Sequence, residues 1–533
     1  MTGYKYFGAM LDCSRGAVLK VSVVKQLINA LQKMGYNALE LYTEDTFEVE
    51  GEPYFGYLRG RYSSAEIKEI DAYASAHGIE LIPCIQTLAH FTNPVKLPRF
   101  AEITDVNDIL LIDDEKTYEF IERIFASLAK NFTSRNVHIG MDEAHMVGLG
   151  KYFDKHGFTD RFDILNRHLS RVVAIAKRYG FNPHMWSDMF FRLAAKGEYC
   201  ARGVHIPQEV REKVPEDVAL VYWDYYHTQK EDYDAMIESH KEFGREVWFA
   251  GGAWTWTGFA PQARFTRLSM KPAMQSVRQH GIKNVLVTVW GDNGAERPPQ
   301  TQLYNLYAIR RYADGEYNDE KIADEFEKLF GISAHDFDLL ELPDSVPDIT
   351  DTFSNPSKIL LYSDPFLGMF DGAVTLHTHM PYAEYAEKLA AAKKLAGEYS
   401  YLFDTAEKLC RLMEIKTHLG VRTRKAYQSD LRRELAEIAD DYVEAERRLD
   451  DFFAAFSAQW HTVNKPFGFE VHCARLGGVK QRLAHCRNRL LAYLSGVIDR
   501  IEELQENILP LDPNLPDNFL MNDYRRLVSP SEL

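Results

Sequence analysis

The chain has 533 residues, which is more than one hydrophobic core usually serves, so we expect at least two domains. Hydrophobic residues make up 46% and charged residues 26% of the chain, which is ordinary for a soluble globular protein. The formal net charge of −16 disfavours nucleic acid and anionic membrane surfaces as partners and favours a neutral or cationic small molecule.

No stretch of the sequence has the features of a secretory signal or a membrane span. The first residues lack a basic segment followed by an apolar core, and no uninterrupted apolar run is long enough to cross a bilayer. The six cysteines form no CxxC pair, and Cys13 and Cys84 fall inside apolar, strand-like runs, which is typical of reduced and partly buried thiols. We therefore expect a cytoplasmic protein.

In the first part of the chain, short apolar runs alternate with longer amphipathic segments. Eight strands are predicted, over residues 6–11, 38–42, 80–85, 137–140, 183–186, 219–223, 247–250 and 285–289. Helices are predicted between them, over 21–34, 63–77, 115–131, 161–179, 233–243, 269–280 and 302–312. Gly35 predicts a helix end, and Ser63 or Ser64 together with Glu66 predicts a capped helix start.

The predicted strands are apolar on both faces, as in a parallel sheet that is covered by helices. Eight strand–helix units in this length of chain predict a (β/α)8 TIM barrel. A doubly wound open sheet is the alternative. It would need a glycine-rich first turn, and the sequence GAMLDCSRG does not match GxGxxG.

The composition changes after the predicted barrel. A Pro-, Ser- and Asp-rich stretch precedes long, charged, amphipathic segments over 385–419, 424–460 and 480–509. Their heptad-like apolar spacing predicts an α-helical bundle, which packs on the barrel or forms the surface of a homodimer. The expected division is a catalytic barrel over 1–335, a connecting segment over 336–380 and an α-helical C-terminal domain over 381–533.

Polar and aromatic side chains cluster at the carboxyl ends of the predicted strands. The active site of such a barrel opens at that end, because the loops that follow the strands meet there. The candidates are Asp12, Arg15, Glu44, Asp45, His90, His138, Asp142, Glu143, Trp186, Asp188, Tyr222, Asp224, Tyr225, Trp254, Trp256, Trp290, Asp292 and Glu296. A full ring of carboxylates and indoles around one mouth is hard to explain as packing.

Asp142 and Glu143 are adjacent in the sequence, which restricts the chemistry that they can perform. A glycosidase with a protein nucleophile holds its two carboxyl groups about 5 Å apart, and an inverting enzyme holds them roughly 6.5–9.5 Å apart. Such pairs usually come from different strands, whereas sequential carboxylates approach the sugar from one rim. They suit a reaction in which the 2-acetamido oxygen of the substrate attacks the anomeric carbon. Glu143 would then protonate the leaving oxygen, and Asp142 would stabilise the positive charge that develops.

The segment VHIGMDEAH resembles the His-x-Gly-x-Asp-Glu signature of glycoside hydrolase family 20, the β-N-acetylhexosaminidases. GAMLDCSR, LYTEDTF, IPCIQTLAHF, YWD and VWGD resemble further motifs of that family in matching order. The resemblance implies an exo-acting, retaining enzyme that removes terminal GlcNAc or GalNAc and needs no cofactor or metal.

The resemblance also implies a role for each matching residue. Glu143 would be the general acid/base, Asp142 would orient the acetamido group, and Tyr222 would donate a hydrogen bond to the acetamido oxygen. Tyr225 and Tyr226 compete with Tyr222 for that contact. The remaining implied site residues are Trp186, Trp254 (with Trp256 as its alternative) and Trp290 in the pocket wall, Asp224 and Asp292 at sugar hydroxyls, and His90, Asp45 and His138 in support.

Two features depart from the family pattern. The family usually has an arginine where this chain has Phe7, so Arg15 is the candidate substitute at the sugar hydroxyls and the preference for GlcNAc or GalNAc stays open. Family members also commonly carry an α/β domain before the barrel. This sequence begins at the first strand and has a helical C-terminal domain, as some bacterial relatives do.

Three other functions are open to such a sequence. One is a β-N-acetylgalactosaminidase of another family that also uses the acetamido group. A second is a non-catalytic glycan-binding barrel, which would gain nothing from an acid beside a carboxylate. The third, a metal-dependent barrel hydrolase, would want an HxH pair on the first strand, where this sequence has LDCS.

Overall fold

The structure is a computed structural model that describes residues 3–200, 202–347, 349–376, 380–510, 513 and 522–531. Eight strands form a closed barrel in chain order, and every neighbouring pair is parallel. The strands are β1 Tyr6–Asp12, β2 Ala38–Tyr42, β3 Glu80–Cys84, β4 Asn136–His138, β5 Asn182–Trp186, β6 Ala219–Trp223, β7 Val247–Gly252 and β8 Asn284–Val289. The predicted barrel is confirmed, and each predicted strand overlaps an observed one.

Helices follow the strands as the periodicity predicts. The first ten are α1 Val21–Met34, α2 Ser64–Ala76, α3 Glu115–Asn131, α4 Lys151–His156, α5 Arg161–Arg178, α6 Asp188–Ala194, α7 Gln208–Arg211, α8 Lys230–Lys241, α9 Ala263–Gln279 and α10 Leu303–Asp314. Gly35 ends α1 in a left-handed conformation with φ 85°. Ser63 caps α2 by accepting from the Glu66 N–H, while the Glu66 carboxylate accepts from the Ser63 N–H, so both orphan donors are satisfied.

The inside of the barrel is filled by alternate residues of the strands. Met10, Ile82, Trp186, Val221 and Leu286 belong to one fully buried cluster that also includes Tyr42, Cys84, Trp248 and Ala250. Because side chains alternate along a strand, the residues between these ones point outward to the helices. This alternation determines which of the polar residues at the strand ends can reach the mouth.

The chain divides into two compact units. The first contains 1–253, 266–290 and 305–322 and therefore all eight strands, and the second contains 254–265, 291–304 and 323–533. The predicted boundaries at 335 and 380 remain a prediction. The compact units do not follow these boundaries, because the second unit also includes 254–265 and 291–304, which follow barrel strands.

The second unit is helical, as its amphipathic pattern predicts. Its helices are α11 Asp319–Phe330, α12 Ala334–Asp338, α13 Pro356–Tyr362, α14 Asp371–Leu376, α15 Tyr382–Lys393, α16 Ser400–Lys416, α17 Leu419–Gln428, α18 Arg432–Val463, α19 Phe469–Leu494 and α20 Tyr524–Leu527, with α11 beginning in the first unit. The predicted helix over 480–509 is misplaced at both ends. Gly477 and Gly478 have low helix propensity, so the sequence does not indicate the first part of α19. Gly496, with φ 77°, follows the end of this helix. No helix in the described part of the chain is long and apolar enough to cross a membrane.

Candidate active site

Asp142 and Glu143 lie in the loop that follows β4, at the carboxyl end of the barrel. Three residues of this loop are left-handed: Gly140 with φ 70°, Met141 with φ 76° and Glu143 with φ 52°. A Cβ atom at Gly140 would lie 2.1 Å from Gln86 Oε1, so this position needs glycine for space as well as for conformation. Left-handed residues other than glycine are strained and persist only where surrounding contacts hold them.

Gln86 and His90, from the loop after β3, hold the Asp142 carboxylate. Gln86 Nε2 donates to Asp142 Oδ1 at 2.7 Å, and Gln86 Oε1 accepts from the Met141 N–H at 3.1 Å. His90 Nε2 lies 3.1 Å from Asp142 Oδ2. Burial raises the pKa of Asp142, but the charge of His90 and the hydrogen bonds from His90 and Gln86 outweigh it, so the pKa lies below its ordinary value. Asp142 is therefore held in its ionised form.

His90 lies between two carboxylates. Its Nδ1 is 3.8 Å from Glu44 Oε1, and Glu44 also accepts from the Tyr42 hydroxyl at 3.0 Å and lies 3.2 Å from Arg15 Nη1. Burial lowers the pKa of His90, but the charges of Asp142 and Glu44 and the contact with Asp142 raise it to about 10. His90 is therefore an imidazolium at neutral pH, and it links Asp142 to Glu44 and, through Glu44, to Arg15.

Glu143 is the more exposed member of the pair. Its side chain is 42% exposed, whereas that of Asp142 is 11% exposed. Glu143 Oε2 lies 3.9 Å from His90 Nε2, and Oε1 lies 3.6 Å from Arg192 Nη2. The Glu143 N–H donates to Asp188 Oδ2 at 3.2 Å. The geometry thus combines an accessible acid with a buried, oriented carboxylate.

An aromatic wall stands beside the pair. Trp290 packs against Tyr42, with ring centroids 4.7 Å apart, and against Trp186, with centroids 6.2 Å apart. Trp186 is buried in the barrel core, and Trp290 is partly buried against the same core. These rings supply the apolar surface that an acetamido methyl group or the C–H face of a sugar requires.

The structure does not bring Tyr222 to the mouth. Val221 points into the barrel, so Tyr222 points outward, where its ring lies 4.8 Å from His240 of α8 and 5.5 Å from Phe249. Tyr225 is the tyrosine that faces the site. Its hydroxyl has Thr288 and Trp290 as hydrogen-bond partners, and burial, with a smaller contribution from the charge of Asp142, raises its pKa far above the ordinary value.

Two predicted carboxylates are occupied by other contacts. Asp224 is buried, and its oxygens accept from the Tyr222 hydroxyl at 2.7 Å, from His227 Nδ1 at 2.8 Å and from the Tyr226 N–H at 3.1 Å, so none of them is presented to a sugar. Asp45 pairs with Arg59 at 3.4 Å rather than with His90. Glu44, which is left-handed with φ 47° and contacts the Tyr42 hydroxyl, approaches His90 instead.

His138 lies deeper in the barrel, in a buried group with Glu40 and His184 whose possible ligand atoms lie within 4.8 Å of one another. His184 Nε2 lies 2.9 Å from Glu40 Oε1, and the Gly140 N–H donates to His138 Nδ1 at 3.1 Å. Burial lowers the pKa of His138, so its ring is neutral, and because Nδ1 accepts from the Gly140 N–H, the proton is on Nε2. With Nδ1 of His138 bonded to the Gly140 N–H and His184 paired with Glu40, these residues form a polar layer of the barrel core.

Trp254 and Asp292 belong to the second compact unit. Trp254 is buried there, stacked on Trp256 with centroids 4.2 Å apart and packed against Phe265 and Phe353. Asp292 is exposed. The expected substrate contacts of these two residues stay predictions.

The sequence interpretation did not select Gln86, which holds Asp142. Glu44, Asp188 and Tyr225 are among the strand-end candidates, but the sequence assigned no role to Glu44 or Asp188 and offered Tyr225 only as an alternative to Tyr222. Each of these four residues lies two positions beyond the carboxyl end of its strand, so the general rule that polar strand-end residues are functional applies to all four. The sequence does not show which of Glu44 and Asp45 reaches His90, because both lie beyond the end of β2.

A closed (β/α)8 barrel whose mouth presents an accessible acid beside an oriented carboxylate and an aromatic wall is the architecture of a glycoside hydrolase. Family comparisons agree. Residues 4–241 match the model described as glycosyl hydrolase family 20, catalytic domain, and residues 335–521 match the model described as glycoside hydrolase 20C C-terminal domain. The chain belongs to glycoside hydrolase family 20.

The individual relatives have low sequence identity to this chain. The chain is similar to hexosaminidase D of Homo sapiens, at 27% identity over 220 residues, which is 40% of this chain and 43% of the human protein. It is 25% identical to hexosaminidase D of Bos taurus over 281 residues, covering 50% of this chain and 75% of the bovine protein. Among solved structures, it is similar to an exo β-N-acetylglucosaminidase of Vibrio harveyi in complex with N-acetylglucosamine, with a TM-score of 0.46, 17% identity, and coverage of 62% of this chain and 58% of that one. The matched region thus spans less than half of the human relative.

Proposed function

We propose that this protein is a retaining exo-β-N-acetylhexosaminidase that removes terminal β-linked GlcNAc or GalNAc from glycans by substrate-assisted catalysis. The observation that carries the proposal is the unequal pair at the mouth. Glu143 is accessible, while Asp142 is buried and is held ionised by Gln86 and His90. Family membership supports the same reaction.

In the first step, the acetamido oxygen of the substrate attacks the anomeric carbon. The bond from that carbon to the leaving oxygen breaks, and Glu143 transfers its proton to the leaving oxygen. Asp142 faces the acetamido nitrogen and stabilises the positive charge of the oxazolinium ring. Tyr225 donates a hydrogen bond to the acetamido oxygen, and Trp186 and Trp290 enclose the methyl group.

In the second step, water attacks the anomeric carbon from the side that the leaving group vacated. Glu143 takes a proton from this water, the ring bond to the acetamido oxygen breaks, and the sugar leaves with its original configuration. Because the substrate supplies the nucleophile, both carboxylates can approach from one rim. This matches their adjacency in the chain.

Arg15 is our candidate for the sugar hydroxyls. Phe7, at the position where the family usually has arginine, is buried and packs on Tyr36 with centroids 5.0 Å apart. The Arg15 side chain is 25% exposed and lies between Glu44 and Asp12. A fixed cation flanked by two carboxylates offers donors and acceptors to neighbouring hydroxyls.

The alternatives are weaker. A glycan-binding barrel would not need an accessible acid beside an ionised carboxylate, and a hexosaminidase of another family is disfavoured by the family match. We further propose a cytoplasmic location. It is supported by the six cysteines, all within the described residues, since none of them forms a disulfide bond there. A neutral glycan is the expected partner rather than nucleic acid or membrane, given the net charge of −16. Homodimer formation stays a prediction.

The test compares 4-nitrophenyl glycosides of β-GlcNAc, β-GalNAc and β-glucose, together with phenyl β-GlcNAc as a substrate with a poor leaving group. The proteins are wild type, Glu143→Gln and the surface control Glu209→Gln. We expect wild type and the control to hydrolyse the N-acetylated glycosides at the same rate and to show almost no hydrolysis of the glucoside. In Glu143→Gln we expect activity on the substrate with the poor leaving group to fall by roughly a hundredfold or more. A chelator should change nothing. Equal turnover of the glucoside would remove the acetamido mechanism.

A further inference from the structure

The left-handed loop that carries Asp142 and Glu143 is held at two points. Gln86 holds its first half, through the Met141 N–H and the Asp142 carboxylate. Its second half is held by Asp188, whose Oδ2 accepts from the Glu143 N–H at 3.2 Å. Since residues with φ near +50° to +75° cost about 1–3 kcal/mol each unless contacts hold them, the second anchor matters for where Glu143 points.

Asp188 is well placed to be that anchor. It is the first residue of α6, two positions beyond β5, and is 0% exposed. Its Oδ2 also accepts from Arg192 Nε at 3.0 Å, one turn along the same helix, and Arg192 Nη2 lies 3.6 Å from Glu143 Oε1. Asp188 thus reaches Glu143 by two routes, directly through the main chain and through Arg192 to the carboxylate.

A purely structural role explains this arrangement poorly. Asp188 Oδ1 is buried with no hydrogen-bond partner among the described residues, and the Asp142 carboxylate lies close by. Burial and the charge of Asp142 raise the pKa of Asp188 to about 7, so a carboxyl group is kept here at an electrostatic cost. The N-cap position of α6 is occupied by Ser187 and not by Asp188, so helix capping does not account for the carboxyl group.

We propose that Asp188 is a positioning residue that holds the general acid Glu143 toward the leaving oxygen. The inference rests on the proposed function, and it adds a residue that acts on Glu143 and not on the acetamido side of the reaction. Loss of Asp188 should therefore weaken protonation of the leaving group selectively, while Asp142 keeps its own contacts with Gln86 and His90.

The experiment uses two aryl substrates that differ in how much acid assistance they need, 4-nitrophenyl and unsubstituted phenyl β-N-acetylglucosaminide. Nitrophenolate leaves with little help, whereas phenolate needs the proton of Glu143. The variants are Asp188→Ala, Asp188→Asn and, as a matched control, Asp71→Asn. Asp71 is also a buried carboxylate that accepts a main-chain N–H, from Thr133 at 3.2 Å, but it lies on α2.

In Asp188→Ala we expect kcat on the phenyl glycoside to fall about tenfold or more, and kcat on the nitrophenyl glycoside to fall less than about threefold, with KM changed by less than about twofold. Asp188→Asn, which keeps an acceptor oxygen, should recover part of the loss. Asp71→Asn should treat both substrates alike. The melting temperature of each variant shows whether it is folded. If Asp188→Ala is not folded, the ratio of the two activities in Asp188→Asn tests the proposal.

Equal losses on the two substrates, or no loss, would overturn the positioning role. If wild type hydrolyses neither glycoside, nor the corresponding β-GalNAc pair, the proposed function fails instead. The two failures are therefore distinguishable.

Discussion

Tyr222 and Tyr225 are three positions apart in the chain, but they face different parts of the molecule. Tyr222 packs between β6 and α8, and Tyr225 stacks on Trp223 with centroids 5.2 Å apart at the barrel mouth. We expect Tyr225→Phe to lower kcat/KM on N-acetylhexosaminides by roughly ten- to a hundredfold, because a donor to the acetamido oxygen is lost. Steady-state kinetics check this.

Tyr222→Phe is the matched control. It removes one buried hydrogen bond to Asp224 and should cost about 1 kcal/mol of stability while leaving activity within about threefold of wild type. The reverse ranking of the two variants would assign the acetamide contact to Tyr222.

The contact between His90 and Asp142 makes a prediction about pH. The folded-state pKa of His90, about 10, lies above the ordinary value of 6.5, so the stability that its charged form contributes is complete below about pH 6.5 and is lost as the pH rises through 10. The difference in melting temperature between wild type and His90→Gln should be largest near pH 6 and should shrink toward pH 10. A difference that grows with pH would mean that His90 is neutral in the folded protein.

At the scale of elements, the loop after β4 depends on Gly140. An added Cβ would lie 2.1 Å from Gln86 Oε1, so Gly140→Ala should displace Gln86 from Asp142 and reduce kcat by about tenfold or more. Gly35→Ala has the same left-handed strain, with φ 85°, but its nearest neighbour lies 3.5 Å away. It should cost only about 1 kcal/mol of stability and no activity. Comparing the kinetics and the melting temperatures of the two variants separates the effect of the steric clash with Gln86 from the effect of backbone strain. Equal activity in both variants would contradict the role of Gln86.

The helices and strands themselves were largely predictable. α1 and α3 have the bounds that their apolar spacing indicates, because each carries its own stop signal or a strong periodic face. The start of α19 was not predictable, since Gly477 and Gly478 lie inside the first part of a helix that packing maintains despite their low helix propensity.

At the scale of the whole molecule, stability depends on charges that the second unit buries. Within that unit, Lys358 Nζ lies 2.7 Å from Glu296 Oε1, and both side chains are at most 1% exposed. Lys358→Met should cost about 3–5 kcal/mol of unfolding free energy, because Glu296 loses its closest partner. Lys480→Met, in the exposed pair with Asp450, should cost under about 1 kcal/mol. Chemical denaturation measures both, and similar costs would show that the buried pair is not a major contributor.

The sequence alone determined the order of eight strands and their helices, the helical second part, and the pair Asp142–Glu143 at a strand end, because periodicity and motif spacing are local properties of the chain. Only the tertiary structure decided that Gln86 holds Asp142 across 56 positions, that Glu44 rather than Asp45 reaches His90, and that Tyr225 rather than Tyr222 faces the mouth. These outcomes depend on left-handed residues and on contacts between strands. Neither leaves a periodic signal in the sequence.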